Sequence, residues 1–191
     1  MSKPITKLES IEKTAIQLFA SYGIKQVTIK EIASKSKCSE GALYRHYKSK
    51  EEMAWELYKR EVEIFGKKLR NILNCGLAFP DKLGSAVELF YKLFDEDQTK
   101  FSFILLSKYN FSKSRKIDPG LNPFDLVTDL IKIAVKRNEI NIDNPELYSA
   151  MILGLVLQPP TFVVSKRIKG KIGNTADAVT RSCLKVLNYK R

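Results

Sequence analysis

Apolar side chains recur every three or four positions along most of the chain. Leu8, Ile11, Ala15, Leu18, Phe19 and Tyr22 make one such stripe, which predicts an amphipathic helix over residues 6–22. Thr6 and Glu9 form a capping-box pattern at its start, and Gly23 supplies the stop. Thr28 and Glu31 repeat the box ahead of a short helix with Ile29, Ile32 and Ala33 inward. Ser39 opens another short helix over 40–46. Ser49 and Glu52 form a third box, followed by a long helix over 50–74 whose stripe is Ala54, Leu57, Phe65, Leu69 and Ile72.

The rest of the chain is helical with weaker punctuation. Helices are predicted over 80–94, 99–109 and 123–138, with a loop at 111–123 marked by Asp118-Pro119-Gly120. Asn144-Pro145 reads as a cap followed by proline in the first turn. The helix it opens runs through 151–157. Pro159-Pro160 are then expected to kink or interrupt it, because each proline removes a backbone donor and crowds the preceding turn. A last helix spans 175–187. Strand alternation with hairpin turns is absent, so the fold class is all-α.

Composition narrows the function classes. Of 191 residues, 44% are hydrophobic and 28% charged, a globular balance rather than a disordered one. The apolar run 151–157 is far shorter than the roughly 18–20 residues of a bilayer span, and residues 1–7 lack the apolar core of a secretory signal. No membrane association and a cytoplasmic location are therefore expected. Cys38, Cys75 and Cys183 lie far apart, and His46 is the single histidine. That excludes a zinc pattern or a disulfide framework, and no cofactor is expected. No nucleophile elbow, metalloprotease motif, phosphate loop or dinucleotide fingerprint occurs, so an enzyme is not expected. Thirty-three basic against 21 acidic residues leave +12, which favours a polyanionic partner. Residues 1–60 hold 12 basic and 7 acidic residues, net +5, so charge alone does not locate the partner's site.

The segment 23–51 does locate it. Two short helices joined by the turn 34–38, behind a longer first helix, follow the helix-turn-helix plan, whose second helix enters a DNA major groove. Small residues at Ser39, Gly41 and Ala42 would let the backbone approach base edges. The helix starts at Thr28 and Ser39 would suit phosphates, with Tyr44, Tyr47, Lys48 and Lys50 adding donors.

These residues resemble the N-terminal signature of the TetR (tetracycline-repressor) family: Thr28-Ile-Lys-Glu-Ile-Ala33, Ser39-Glu-Gly-Ala-Leu-Tyr-Arg-His-Tyr47 and Lys48-Ser-Lys-Glu51, within residues 8–55. The resemblance implies a TetR-like, three-helix DNA-binding domain with a helix-turn-helix over 1–48. A larger ligand-binding and dimerisation domain of about six helices follows over 49–191. It implies phosphate contacts at Thr28, Tyr44, His46 and Lys50, and base and backbone contacts at Ser39, Glu40, Gly41 and Ala42. Lys37, Arg45 and Lys48 complete the candidate DNA set. Ser36-Lys37-Cys38 replaces the family's usual Ala-Gly-Val turn, which sets Lys37 where glycine would take a positive φ without strain. Tyr47 replaces the usual Phe.

The expected partners are double-stranded operator DNA, a second copy of the chain, and a small-molecule effector, largely apolar. Aromatics at helical spacing are usually core. Under the resemblance, Phe65, Phe90, Phe94, Phe103, Tyr109, Phe124 and Tyr148 are candidate pocket residues. A dimer surface on 145–166 and 175–187 would use Met151, Gly154, Leu155, Phe162, Val179, Cys183 and Val186. The expected function is a ligand-responsive regulator of the repressor type. The competing reading is a basic adaptor or membrane-surface protein that keeps the fold. The run 166–171 is expected to be a solvated loop.

Overall fold

The structure, a computed structural model, describes residues 6–107, 110–111 and 115–189. Tyr109, a candidate pocket residue, lies outside them. The described residues form nine α-helices: α1 (Lys7–Tyr22), α2 (Ile29–Lys35), α3 (Glu40–Tyr44), α4 (Lys50–Leu73), α5 (Phe79–Glu96), α6 (Gln98–Ser107), α7 (Pro123–Lys136), α8 (Pro145–Val164) and α9 (Ala176–Val186). Two 3-10 turns, Pro119–Leu121 and Ile172–Thr175, complete them. The helix starts fall where the caps predict. Thr6 N–H donates to Glu9 Oε2 at 2.7 Å while Glu9 N–H donates to Thr6 Oγ1 at 3.2 Å, and Gly23 closes α1 at φ 79°. Tyr22 departs from its expected inward place. It is 61% exposed and takes the Lys35 ammonium over its ring at 5.7 Å.

The helices divide into two compact units, and the division does not follow the expected boundary at 48/49. The first comprises the described residues of Met1–Glu61 and Thr99–Lys116; the second comprises Val62–Gln98 and those of Ile117–Arg191. The reason is apolar area. Three short helices cannot bury a core alone, so Ile11, Phe19, Ile32 and Leu43 share one with Met53, Ala54 and Leu57 of α4 and with Phe101 and Phe103 of α6. Phe19 and Phe103 stack with ring centroids 5.9 Å apart. In the second unit α5 packs on α9, and α7 and α9 pack on α8. Leu69, Tyr91, Phe94, Ile131 and Ile152 lie at its centre. Gly66 of α4 is required there: a Cβ would sit 1.9 Å from the Leu121 carbonyl oxygen.

Helix α8 differs from expectation in its length. Pro159 and Pro160 lie inside it, and it continues to Val164 without interruption. Pro160 cannot donate to the Val156 carbonyl one turn earlier. The buried Tyr91 hydroxyl donates to that oxygen instead, at 3.2 Å. The unbroken helix makes a longer apolar segment than the run 151–157. It has 20 residues, and a stretch of 18 within it has mean hydropathy 1.6, enough by length and composition to cross a bilayer. Only 17% of that stretch is buried within the chain.

Candidate nucleic-acid interface

The helix-turn-helix is built by backbone hydrogen bonds that close α2. Cys38 N–H donates to the Ala33 carbonyl at 3.0 Å and Lys37 N–H to that of Ser34 at 3.2 Å. This is the paired pattern that ends a helix through a left-handed residue. Lys37 occupies that left-handed position at φ 52°, so the turn keeps its geometry without glycine and bears the strain of a side chain there. The Ser36 hydroxyl adds a bond to the Ile32 carbonyl. Ser39 then caps α3, its Oγ accepting from Ala42 N–H at 3.3 Å.

Leu43 faces inward at 1% exposure and anchors α3 to the core. The neighbouring candidates Ser39, Glu40, Gly41, Tyr44, Arg45 and His46 are exposed, as are Thr28, Lys37 and Lys48; Ala42 is half-buried. Small residues, a phenol and the three cations Lys37, Arg45 and Lys48 therefore lie along α3 and its flanks in solvent, a donor set suited to phosphates and base edges. Two candidates are already engaged. Thr28 gives its N–H to Glu31 Oε2 at 2.7 Å and its hydroxyl proton to the same oxygen at 2.9 Å. These bonds hold the Glu31 carboxyl below the usual carboxylate range. The Lys50 ammonium donates to the Lys25 carbonyl at 3.2 Å and lies 3.6 Å from Glu51, with its side chain only 17% exposed. Lys50 thus ties the start of α4 to the α1–α2 loop.

Residues 11–57 match the family model for bacterial regulatory proteins of the tetR family. That match spans the helix-turn-helix segment, so residues 11–57 carry an N-terminal domain of the tetR type. The HTH-type transcriptional regulator YerO of Bacillus subtilis is 30% identical over 180 residues, covering 77% of this chain and 62% of that protein. The repressor KstR2 of Mycolicibacterium smegmatis is 29% identical over 82 residues, covering 43% and 40%. The chain spans less than two thirds of the length of these curated relatives. Among solved structures, the fatty acid degradation regulator FadR of Bacillus halodurans superposes with TM-score 0.80 at 22% identity, covering 99% of this chain and 100% of that one. FadR of Bacillus subtilis, solved with stearoyl-CoA, superposes with TM-score 0.76 at 17% identity, covering 94% and 98%. These likenesses show the fold, with three N-terminal helices and six after them.

The candidate pocket residues divide between the two units. Phe103 belongs to the core of the first unit, whereas Phe65, Phe90, Phe94, Phe124 and Tyr148 lie in the second. Phe94 is fully buried, and Phe65 packs edge-on to Phe90 at 5.8 Å. A cavity of about 520 Å³ opens elsewhere in the second unit. Its walls come from α4 (Arg70, Leu73), the following loop and α5 (Leu77, Phe79, Lys82), and α7 with its end (Leu126, Leu130, Ile133, Arg137). Sequence spacing gave no signal for it, because its walls come from helices distant in the chain.

The dimer candidates divide as well. Met151 is 45% exposed, Gly154 is exposed, and Leu155, Phe162, Val179 and Val186 are half-buried. Cys183 is fully buried inside the chain, so it is a core residue and not a surface one. Burial pushes its thiol up to about 11.

Sequence reasoning also missed a buried polar cluster in the first unit. Glu12, 6% exposed, accepts from the Tyr47 hydroxyl at 2.5 Å and from both terminal nitrogens of Arg60 at 3.1 and 2.6 Å. Burial, followed by the bond to Glu12, pushes the Tyr47 phenol upward. Two signals were present: an acidic residue within the apolar stripe of α1, and a hydroxyl on the ring that replaces the usual Phe.

Proposed function

We propose that the chain is a homodimeric, ligand-responsive DNA-binding transcriptional regulator of the repressor type. The observation that carries this is the helix-turn-helix. Leu43 pins α3 to a core while Ser39, Gly41, Tyr44, Arg45 and Lys48 stand in solvent around it. Two copies related by a two-fold axis would place two such helices in successive major grooves of a palindromic operator. The names of YerO and KstR2 as HTH-type transcriptional regulators support the same reading.

Helix α8 supports the dimer. Leu147, Met151 and Gly154 repeat at helical spacing on an apolar helix that the chain itself leaves largely uncovered. Pairing with a second copy would bury this face. The same exposure favours the competing membrane-surface reading, which light scattering and liposome co-sedimentation separate. A dimer that ignores liposomes supports the regulator.

The cavity supports a small effector with an apolar body. Leu73, Leu77, Leu126 and Ile133 would contact that body, with Arg70, Lys82 and Arg137 at its polar end. FadR of Bacillus subtilis with stearoyl-CoA has a ligand of that general shape.

The test is a salt titration against a duplex selected by the protein from a random pool. The affinity should fall linearly in log–log form, with a slope that loses about one when Lys48→Ala removes one phosphate contact. A duplex-independent, salt-independent signal would refute the reading.

A further inference from the structure

We propose that Glu12, Tyr47 and Arg60 are positioning residues that hold the recognition helix in register for base readout, so that Tyr47 sets sequence specificity without touching DNA. The proposal rests on the DNA-binding reading above. Its geometry lies wholly within the first unit.

Glu12 is on α1, Arg60 is on α4, and Tyr47 ends the segment that follows α3. The Glu12 carboxylate is nearly out of solvent, at 6% exposure, and both its oxygens are occupied by charged or hydroxyl donors at 2.5–3.1 Å. The two-pronged guanidinium contact fixes orientation as well as distance, which a lysine in its place would not. Tyr47 is coupled to α3 through the main chain: its N–H donates to the Leu43 carbonyl at 3.0 Å. A displacement of Tyr47 is therefore transmitted to the helix carrying Ser39, Gly41 and Tyr44. One residue further along α4, Glu61 pairs with Lys100 of α6 at 3.2 Å. This second pair braces α4 against α6, so the Arg60 end of the clamp is itself held.

The tyrosine ring alone would pack as the phenylalanine of the family signature does. The hydroxyl adds a bond to a buried carboxylate and no packing. Base-edge hydrogen bonds fail with small displacements, because their strength falls steeply with angle and distance. Phosphate attraction falls only as the reciprocal of distance. Releasing the clamp should thus weaken sequence-specific binding far more than non-specific binding, whereas a general loss of stability would weaken both alike.

The experiment compares wild type, Tyr47→Phe and Arg60→Lys as full chains. Each is titrated with the duplex that wild type selects from a random pool and with a scrambled duplex of equal composition. Peptide-level hydrogen exchange is followed on the free proteins. Tyr47→Phe and Arg60→Lys should lose at least about fivefold for the selected duplex and less than twofold for the scrambled one, with unchanged salt slopes. An unchanged ratio of the two affinities in both variants overturns the proposal. If wild type selects no duplex, the DNA-binding reading fails, and the exchange measurement decides for the clamp alone. Faster exchange confined to residues 40–47 upholds positioning, and unchanged exchange there overturns it.

Discussion

Replacing Tyr91 by phenylalanine tests how α8 survives two internal prolines. In the native chain the Tyr91 hydroxyl, fully buried, gives the Val156 carbonyl the hydrogen bond that Pro160 cannot. Tyr91→Phe keeps the ring and removes that donor, so the carbonyl of a buried residue is left without a partner. An unsatisfied buried acceptor costs about 1–3 kcal/mol. The lower cost of burying Phe offsets part of this, which leaves a net loss of about 1–2 kcal/mol. For a chain of this length that corresponds to a fall in Tm of roughly 2–8 °C. The assay is urea unfolding followed by circular dichroism at fixed protein concentration, because any self-association shifts apparent stability. The decisive comparison is a double-mutant cycle with Pro160→Ala, which restores a main-chain donor to the Val156 carbonyl. In that background Tyr91→Phe should cost less than about 0.5 kcal/mol. An equal cost in both backgrounds, or no cost in wild type, would refute the reasoning.

Three further outcomes follow from single residues. Gly66→Ala places a Cβ 1.9 Å from the Leu121 carbonyl oxygen, so either α4 or the 3-10 turn must move. A loss of about 3 kcal/mol or more in urea unfolding is expected, and a neutral substitution would show that this approach is not tight. Lys37→Gly relieves a left-handed backbone at φ 52° and should stabilise the first unit by about 1 kcal/mol. If Lys37 meets a phosphate, the same change lowers the salt slope of DNA binding by about one. Cys183 is fully buried, with its thiol pushed up to about 11. At pH 8, iodoacetamide should modify it at least about a hundredfold more slowly than an unperturbed thiol, with Cys38 and Cys75 reacting first by mass spectrometry. Because the shift is upward, the stability linked to this thiol is full below the unfolded value near 8.5. It is lost as pH rises towards 11.

The helix starts and the helix-turn-helix were legible in the sequence because they depend on neighbours a few residues apart. Thr6 with Glu9 and Thr28 with Glu31 close their boxes as the spacing requires, and Leu43 is inward because the 3.6-residue period leaves it no other face. The place of the turn at 34–38 was legible too, whereas its left-handed geometry at Lys37, where the resemblance implies glycine, was decided by the structure. Distant partners decided the rest. That α6 completes the core of the first unit depends on Phe103 meeting Phe19, 84 positions earlier in the chain. That α8 runs through Pro159-Pro160 depends on Tyr91, 65 positions before Val156, taking the role of the missing donor. The charge at Glu12 reads as an interruption of an apolar stripe until Arg60 and Tyr47 are seen to occupy both its oxygens. Local hydrogen bonding and helical period act within one or two turns and leave their mark in adjacent residues. A buried polar group is satisfied, and an aromatic finds its core, only where the packed helices happen to bring remote side chains within bonding distance.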